Sequence, residues 1–175
     1  MAQRQDAEAL RLIGQELTAR PNHPEPLALK ASLEMLQSAE SIYKQMEPSL
    51  DEALETVRKI LDEEKEYPAG KDLRRDLQKW KRQAADQGAE LRKGFDAQSL
   101  DRFKMAFADA KTAARDASNA LIDARPTFER KAGEEEKGLF RLGSWGGADK
   151  GKADRIREAG RKLETLGKKI GSLSK

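Results

Sequence analysis

The chain has 175 residues, of which 37% are charged, 5% are aromatic and none is cysteine. The lack of cysteine excludes disulfides, thiol catalysis and thiolate metal sites, and no stretch has the roughly 20 apolar residues of a membrane-spanning helix. The length suffices for one domain with a real core, and the abundance of Ala, Leu, Glu, Lys, Arg and Gln favours helix over strand.

The first part of the chain predicts three helices separated by prolines. The first helix covers about residues 4–19 and ends before the proline-rich connection at residues 21–26. The second begins at Pro26, and its apolar residues recur every three or four positions until Pro48, which we expect to break it. The third begins at Ser49-Leu-Asp-Glu52, a sequence with the form of a capping box, and ends near Pro68.

Two longer helices are predicted next. The fourth carries Leu73, Leu77 and Trp80 on one face, and the fifth follows a turn near residues 94–99 and is ended or kinked by Pro126. No segment longer than a few residues alternates polar and apolar side chains, so we find no strand. The sequence therefore predicts an all-α protein, an antiparallel helical bundle of about five helices.

The last quarter of the chain differs in charge. From Lys137 onward there are eleven Lys or Arg and four Asp or Glu, a net charge of +7, which leaves about −4 on the preceding 136 residues. Residues 137–149 are rich in glycine and are predicted to form a hinge. Residues 150–175 have apolar positions at helical spacing opposite a basic face, which predicts a C-terminal basic amphipathic helix. The predicted organisation is thus a bundle (1–136), a hinge (137–149) and a tail helix (150–175).

Motifs for catalysis or cofactor binding are not recognisable. His23 is the only histidine, which excludes the Glu-x-x-His pattern of di-iron bundles and a histidine-based nucleophilic triad. The carboxylates of residues 52–66 alternate with Lys and Arg at salt-bridge spacing, as on a solvated helix surface. The glycines of residues 138–147 lack the Lys-Ser/Thr of a phosphate-binding loop. We therefore expect no enzymatic activity, no cofactor and no metal, and a buried carboxylate pair is the alternative that spacing does not reveal.

The basic tail is the best candidate for a binding site. Gly160 and Gly167 lie on or beside its apolar face, where they would let another helix approach closely, so the preferred partner is protein, either this chain's own acidic bundle, a second copy or another chain. An anionic membrane is an alternative, because each Lys or Arg near anionic lipid contributes roughly 1 kcal/mol. Nucleic acid would be contacted only nonspecifically, because the tail lacks aromatic or amide side chains placed to stack on or read bases.

A second candidate surface precedes the tail. Phe140, Leu142 and Trp145 lie in the glycine-rich segment and either cap the open end of the bundle or dock on a partner. Together with the tail they give the predicted partner-binding residues: Phe140, Leu142, Trp145, Arg155, Ile156, Arg157, Arg161, Lys162, Leu163, Leu166, Lys168, Lys169, Ile170 and Leu173.

The extreme C-terminus, Lys169-Ile-Gly-Ser-Leu-Ser-Lys175, resembles the short targeting peptides of encapsulin cargo proteins. Those peptides carry an apolar residue, then Gly-Ser-Leu, then a basic residue, and dock in a groove inside a protein shell. The resemblance implies that Ile170 and Leu173 are docking side chains. In this chain Ser174 separates the motif from the final lysine, and the motif follows an amphipathic helix directly.

These observations predict a noncatalytic adaptor, scaffold or assembly protein that binds a protein partner or an anionic surface through its basic C-terminal segment. A cargo protein of an encapsulin-type shell and a peripheral membrane-binding bundle are the alternatives. Because the first residues lack the apolar core of a signal peptide, we expect a cytoplasmic location, although a leaderless secretion route would leave no signal in the sequence.

Overall fold

The computed structural model describes the backbone of residues 2–90, 100–142 and 147–175, and the side chains of residues 6–86, 100–137 and 151–175. These residues form five α-helices and no strand, which confirms the all-α bundle. The helices are α1 (Ala2–Ala19), α2 (Pro24–Glu63), α3 (Pro68–Glu90), α4 (Leu100–Leu142) and α5 (Gly147–Gly171), and a 3₁₀ turn (Ser172–Ser174) follows α5.

Helix α2 continues through Pro48, so the expected break and the new helix start at Ser49 are wrong. A proline inside a helix removes one backbone hydrogen bond and crowds the preceding turn, at a cost of about 3 kcal/mol. Pro48 lies on the exposed side, whereas Met46, Leu50 and Ala53 around it are fully buried. Continuous packing of this apolar face outweighs the local cost, and Ser49 is buried within the helix.

Helix α4 likewise continues through the exposed Pro126, where the sequence predicted that it would end or kink, and the residues after Pro126 are helical. Phe128 and Ala132, on the same stretch, are almost completely buried. The predicted hinge at 137–149 is correspondingly reduced, because α4 extends to Leu142 and α5 begins at Gly147. Residues 143–146 lie outside the described part of the chain.

The directions of the helices follow from their side-chain contacts. Lys131 of α4 pairs with Glu64, at the end of α2, and Asp109 lies beside Tyr43 in the middle of α2, so α2 and α4 are parallel. On α5, Arg155 pairs with Glu63 and Lys162 pairs with Glu52, so α5 is antiparallel to α2. Helix α3 is also antiparallel to α2, because a short connection joins the two helices and Lys81 of α3 pairs with Asp51 of α2.

One apolar core joins α2, α3, α4 and α5. Its fully buried side chains include Leu50 of α2, Leu77 of α3, Leu121 of α4 and Leu163 of α5. Helix α1 lies at the edge, where it contacts α2 and reaches the core through Ala9 and Leu10. The basic amphipathic helix is therefore a part of the bundle, and the boundary predicted between bundle and tail does not separate two cores.

Candidate partner-binding surface on helix α5

The apolar face of α5, predicted to bind a partner, is buried in this chain's own core. Ile156, Leu163, Leu166 and Ile170 are between 0% and 6% exposed. They pack mainly against α4 and also against α2. Leu173, in the 3₁₀ turn, is half-buried against the same core. The other predicted apolar contacts, Phe140, Leu142 and Trp145, have side chains outside the described residues.

Glycines bring α5 and α4 into close contact. A Cβ atom added at Gly167 would lie 2.8 Å from the carbonyl oxygen of Ser118 and 3.0 Å from Leu121 Cβ, and one at Gly160 would lie 3.1 Å from Phe128 Cβ. No larger residue fits at Gly167 without movement of the α4 backbone or side chains. The sequence-based preference for helix packing at these glycines is thus explained by α4, a helix of the same chain.

We expect Gly167→Ala to lower the free energy of unfolding by up to about 2 kcal/mol. Removing glycine from a helix interior contributes about 1 kcal/mol of stability, but overpacking against Ser118 and Leu121 costs about 1–3 kcal/mol. The matched control is Gly133→Ala, because a Cβ at Gly133 of α4 meets nothing within 4 Å, and we expect this change to be stabilising. Urea unfolding measures both, and an equal stabilisation by the two substitutions would contradict the close contact at Gly167.

Four charged side chains join α2, α4 and α5 at one end of the bundle. Lys131 lies 3.0 Å from Glu64 and 2.5 Å from Glu135, and Lys152 contacts Glu64 and lies 3.1 Å from Glu135. We call these four residues the ion cluster. Each side chain is between 17% and 23% exposed, so water screens the charges only partly.

The ion cluster shifts the titration of its members. A hydrogen bond from Lys152 is the main reason that the pKa of Glu64 is below its ordinary value, and one from Lys131 does the same to the pKa of Glu135. Burial alone would lower the pKa of Lys131, but hydrogen bonds to Glu135 and Glu64 outweigh burial and raise it. All four groups are therefore charged near neutral pH, and each cation has two carboxylate neighbours.

Most of the predicted cationic binding residues on α5 are also paired within the chain. Arg155 lies 2.9 Å from Glu63, Arg157 lies 2.6 Å from Glu136, Lys162 lies 2.9 Å from Glu52 and Lys168 lies 2.5 Å from Glu164. By contrast, Arg161 and Lys169 are exposed and form no ion pair with any described residue.

The C-terminal motif is folded onto α4. Ile170 is fully buried, and a Cβ added at Gly171 would lie 3.4 Å from Ser118 Cβ. Lys111 of α4 donates a 3.2 Å hydrogen bond to the carbonyl oxygen of Lys175. Insertion of Ile170 and Leu173 into a groove of another protein would require these contacts to open.

Sequence reasoning missed the ion cluster and the aromatic contact beneath it. Lys131 and Glu135 follow Pro126, where the fifth helix was expected to end or kink, although their spacing of four residues is a helical signal. Tyr67, in the α2–α3 connection, packs edge-on against Phe128 with ring centres 5.3 Å apart. Burial raises the pKa of Tyr67 to about 12, and its hydroxyl has no hydrogen-bond partner among the described residues.

Open grooves lie beside the C-terminus. The larger, about 460 Å³, has Ile42, Phe107 and Leu173 in its wall together with the cations Lys111 and Lys175. Among residues whose side chains are described, no three His, Asp or Glu are placed to share a metal ion. In the same part of the chain, no helix has an apolar stretch that could cross a membrane. Comparison with protein-family models, curated proteins and solved structures finds no match to this chain.

Proposed function

We propose that this protein is a noncatalytic helical adaptor that binds an acidic surface of a partner protein through the outward face of the docked helix α5. The observation that supports the proposal is the division of α5 cations into two groups. Arg155, Arg157 and Lys162 pair with carboxylates of α2 and α4, whereas Arg161 and Lys169 are exposed without an ion pair to a described residue.

The energetics favour binding by α5 in its docked position. Fully burying one Leu or Ile side chain contributes about 1.5–3 kcal/mol, and α5 buries Ile156, Leu163, Leu166 and Ile170. Release of α5 would therefore cost about 6–12 kcal/mol, which approaches the whole stability of a typical domain, about 5–15 kcal/mol. A partner that required a free tail helix would have to supply that energy first.

The chemistry of the outward face favours a protein partner over a membrane. The exposed residues of α5 between 151 and 171 are all polar or charged: Asp154, Arg155, Glu158, Arg161, Lys162, Thr165, Lys168 and Lys169. Stable binding of a helix to a bilayer surface needs an apolar face that enters the lipid, and in α5 that face is packed against α4. Exposed cations on a face without apolar side chains can form ion pairs with the carboxylates of another protein.

The test compares how much partner protein is recovered by affinity capture with the wild-type protein and with the double variant Arg161→Glu/Lys169→Glu. Two charge reversals replace attraction by repulsion at the contact, so we expect about a tenfold lower recovery of the captured partner and stronger capture at low salt. Lys44→Glu/Lys59→Glu has the same net charge change on exposed positions of α2 and should leave capture unchanged. Equal capture by both variants would exclude this face as the binding site.

A disulfide lock distinguishes docked from released binding. Ser118→Cys/Gly171→Cys places two cysteines in a chain that otherwise has none, at Cβ atoms about as close as in natural disulfides. We expect the oxidised protein to bind the partner as well as the reduced protein. Loss of binding on oxidation, with recovery on reduction, would instead mean that the C-terminal residues leave the bundle to bind, as a shell-docking peptide requires.

A further inference from the structure

Helix α3 carries exposed cations that lie outside the α5 surface. Arg74, Lys79 and Arg82 are exposed and form no ion pair with any described residue. At about 100° per residue, Lys79 and Arg82 lie on the side of α3 opposite Leu73 and Leu77, which are buried, and Arg74 lies at the edge of that side, about 80° from Arg82. We call Arg74, Lys79 and Arg82 the α3 cations.

Helix α4 carries a matching acidic face. Asp109, Asp116 and Asp123 recur every seven residues, are all exposed, and form no ion pair with any residue whose side chain is described. We call them the α4 aspartates. A repeat of seven keeps them within about 40° of one another around the helix. Met105, which is 68% exposed, lies on the same side, one turn before Asp109.

These two sets of charges are opposite in sign, and the set on α4 is the longer. The α3 cations extend over about 12 Å of helix and the α4 aspartates over about 21 Å. From residues 105 to 123, the cations of α4, Lys111 and Arg115, lie about 80° or more around the helix from each aspartate. The three α3 cations and the three α4 aspartates thus have no ion-pair partner among the described residues of their own molecule.

We infer that a second copy of this chain binds here, with the α3 cations of one copy against the α4 aspartates of the other. The molecule already joins its own helices in this way, through Arg155 with Glu63 and Lys162 with Glu52. Exposed ion pairs are individually weak, so the association is weak and sensitive to salt. This self-association is separate from the α5 surface and does not rest on the proposed adaptor function.

The experiment measures self-association by light scattering and sedimentation at low and high salt. The wild-type protein should self-associate at low salt and become monomeric as salt shortens the screening length from about 30 Å at 0.01 M to about 3 Å at 1 M. A protein that is monomeric at low salt and at the highest concentration reached would overturn the inference, and this measurement needs no variant.

Charge-reversed variants identify the surfaces. Arg74→Glu/Arg82→Glu and Asp116→Lys/Asp123→Lys should each weaken self-association about tenfold or more, because like charges then face each other. A mixture of the two variants should associate again, since each supplies the charges that the other lacks. The control Lys44→Glu/Lys59→Glu should associate like the wild type. Failure of the mixture to associate, or equal weakening by the control, would reject these two faces as the contact.

Discussion

Replacing Leu163 by Ala should lower the free energy of unfolding by about 2–5 kcal/mol. Leu163 is fully buried between α5 and the rest of the bundle, so the substitution removes buried apolar contacts and leaves a cavity. The expected loss is a large fraction of the stability of a domain of this size, about 5–15 kcal/mol. Urea unfolding followed by circular dichroism at the helical signal measures the change.

The matched control for Leu163→Ala is Leu12→Ala in α1. Leu12 is 51% exposed, so the same change in chemistry should alter stability by less than about 0.5 kcal/mol. If Leu163→Ala and Leu12→Ala had equally small effects, α5 would not be a part of the cooperative core.

Replacing Lys131 by Met should lower the free energy of unfolding by about 1–3 kcal/mol at neutral pH. The change removes the cation between Glu64 and Glu135 and leaves two partly buried carboxylates that share only Lys152. Met has a volume similar to the apolar part of Lys, so the effect reports the lost charge. Lys59→Met, at a lysine whose side chain is 71% exposed, should change stability by less than about 0.5 kcal/mol.

The effect of Lys131→Met should also depend on pH. The pKa values of Glu64 and Glu135 are lowered in the folded chain, so their contribution is complete above the ordinary carboxyl pKa of about 4.3 and is lost as the pH falls through the lowered values. A protonated, neutral carboxyl group no longer forms an ion pair with Lys131. The stability difference between wild type and variant should therefore shrink as the pH falls below about 4, and a difference that grew on acidification would contradict this assignment.

Local periodicity was enough to predict the fold class and much of the core. The apolar residues Leu36, Leu77, Leu121 and Ile156 each belong to a stripe with helical spacing, and the structure buries all four. Such a stripe is defined by neighbours in the sequence, and it reports which side of a helix avoids water. Prediction from the sequence therefore succeeds wherever the answer depends on one helix alone.

The helix boundaries at the prolines were not predictable in the same way. Whether α2 breaks at Pro48 depends on the balance between a local cost and the burial of Met46 and Leu50 against other helices. Likewise, Gly167 indicated that a helix would approach closely, but the partner helix α4 is about 50 residues away in the sequence, and spacing carries no information about that pairing. The ion cluster depends both on helix continuation through the prolines and on the pairing of helices distant in sequence, because it joins the end of α2 to α4 and α5.

The position of α5 in the core has a consequence for synthesis. On the ribosome, α2, α3 and α4 are made before α5, and until α5 emerges the apolar surface around Leu121 and Phe128 lacks the helix that covers it. A nascent chain exposes this surface to chaperones and to other chains until α5 has left the exit tunnel. A chain that lacked residues 147–175 would leave this surface uncovered and would thus be prone to aggregation.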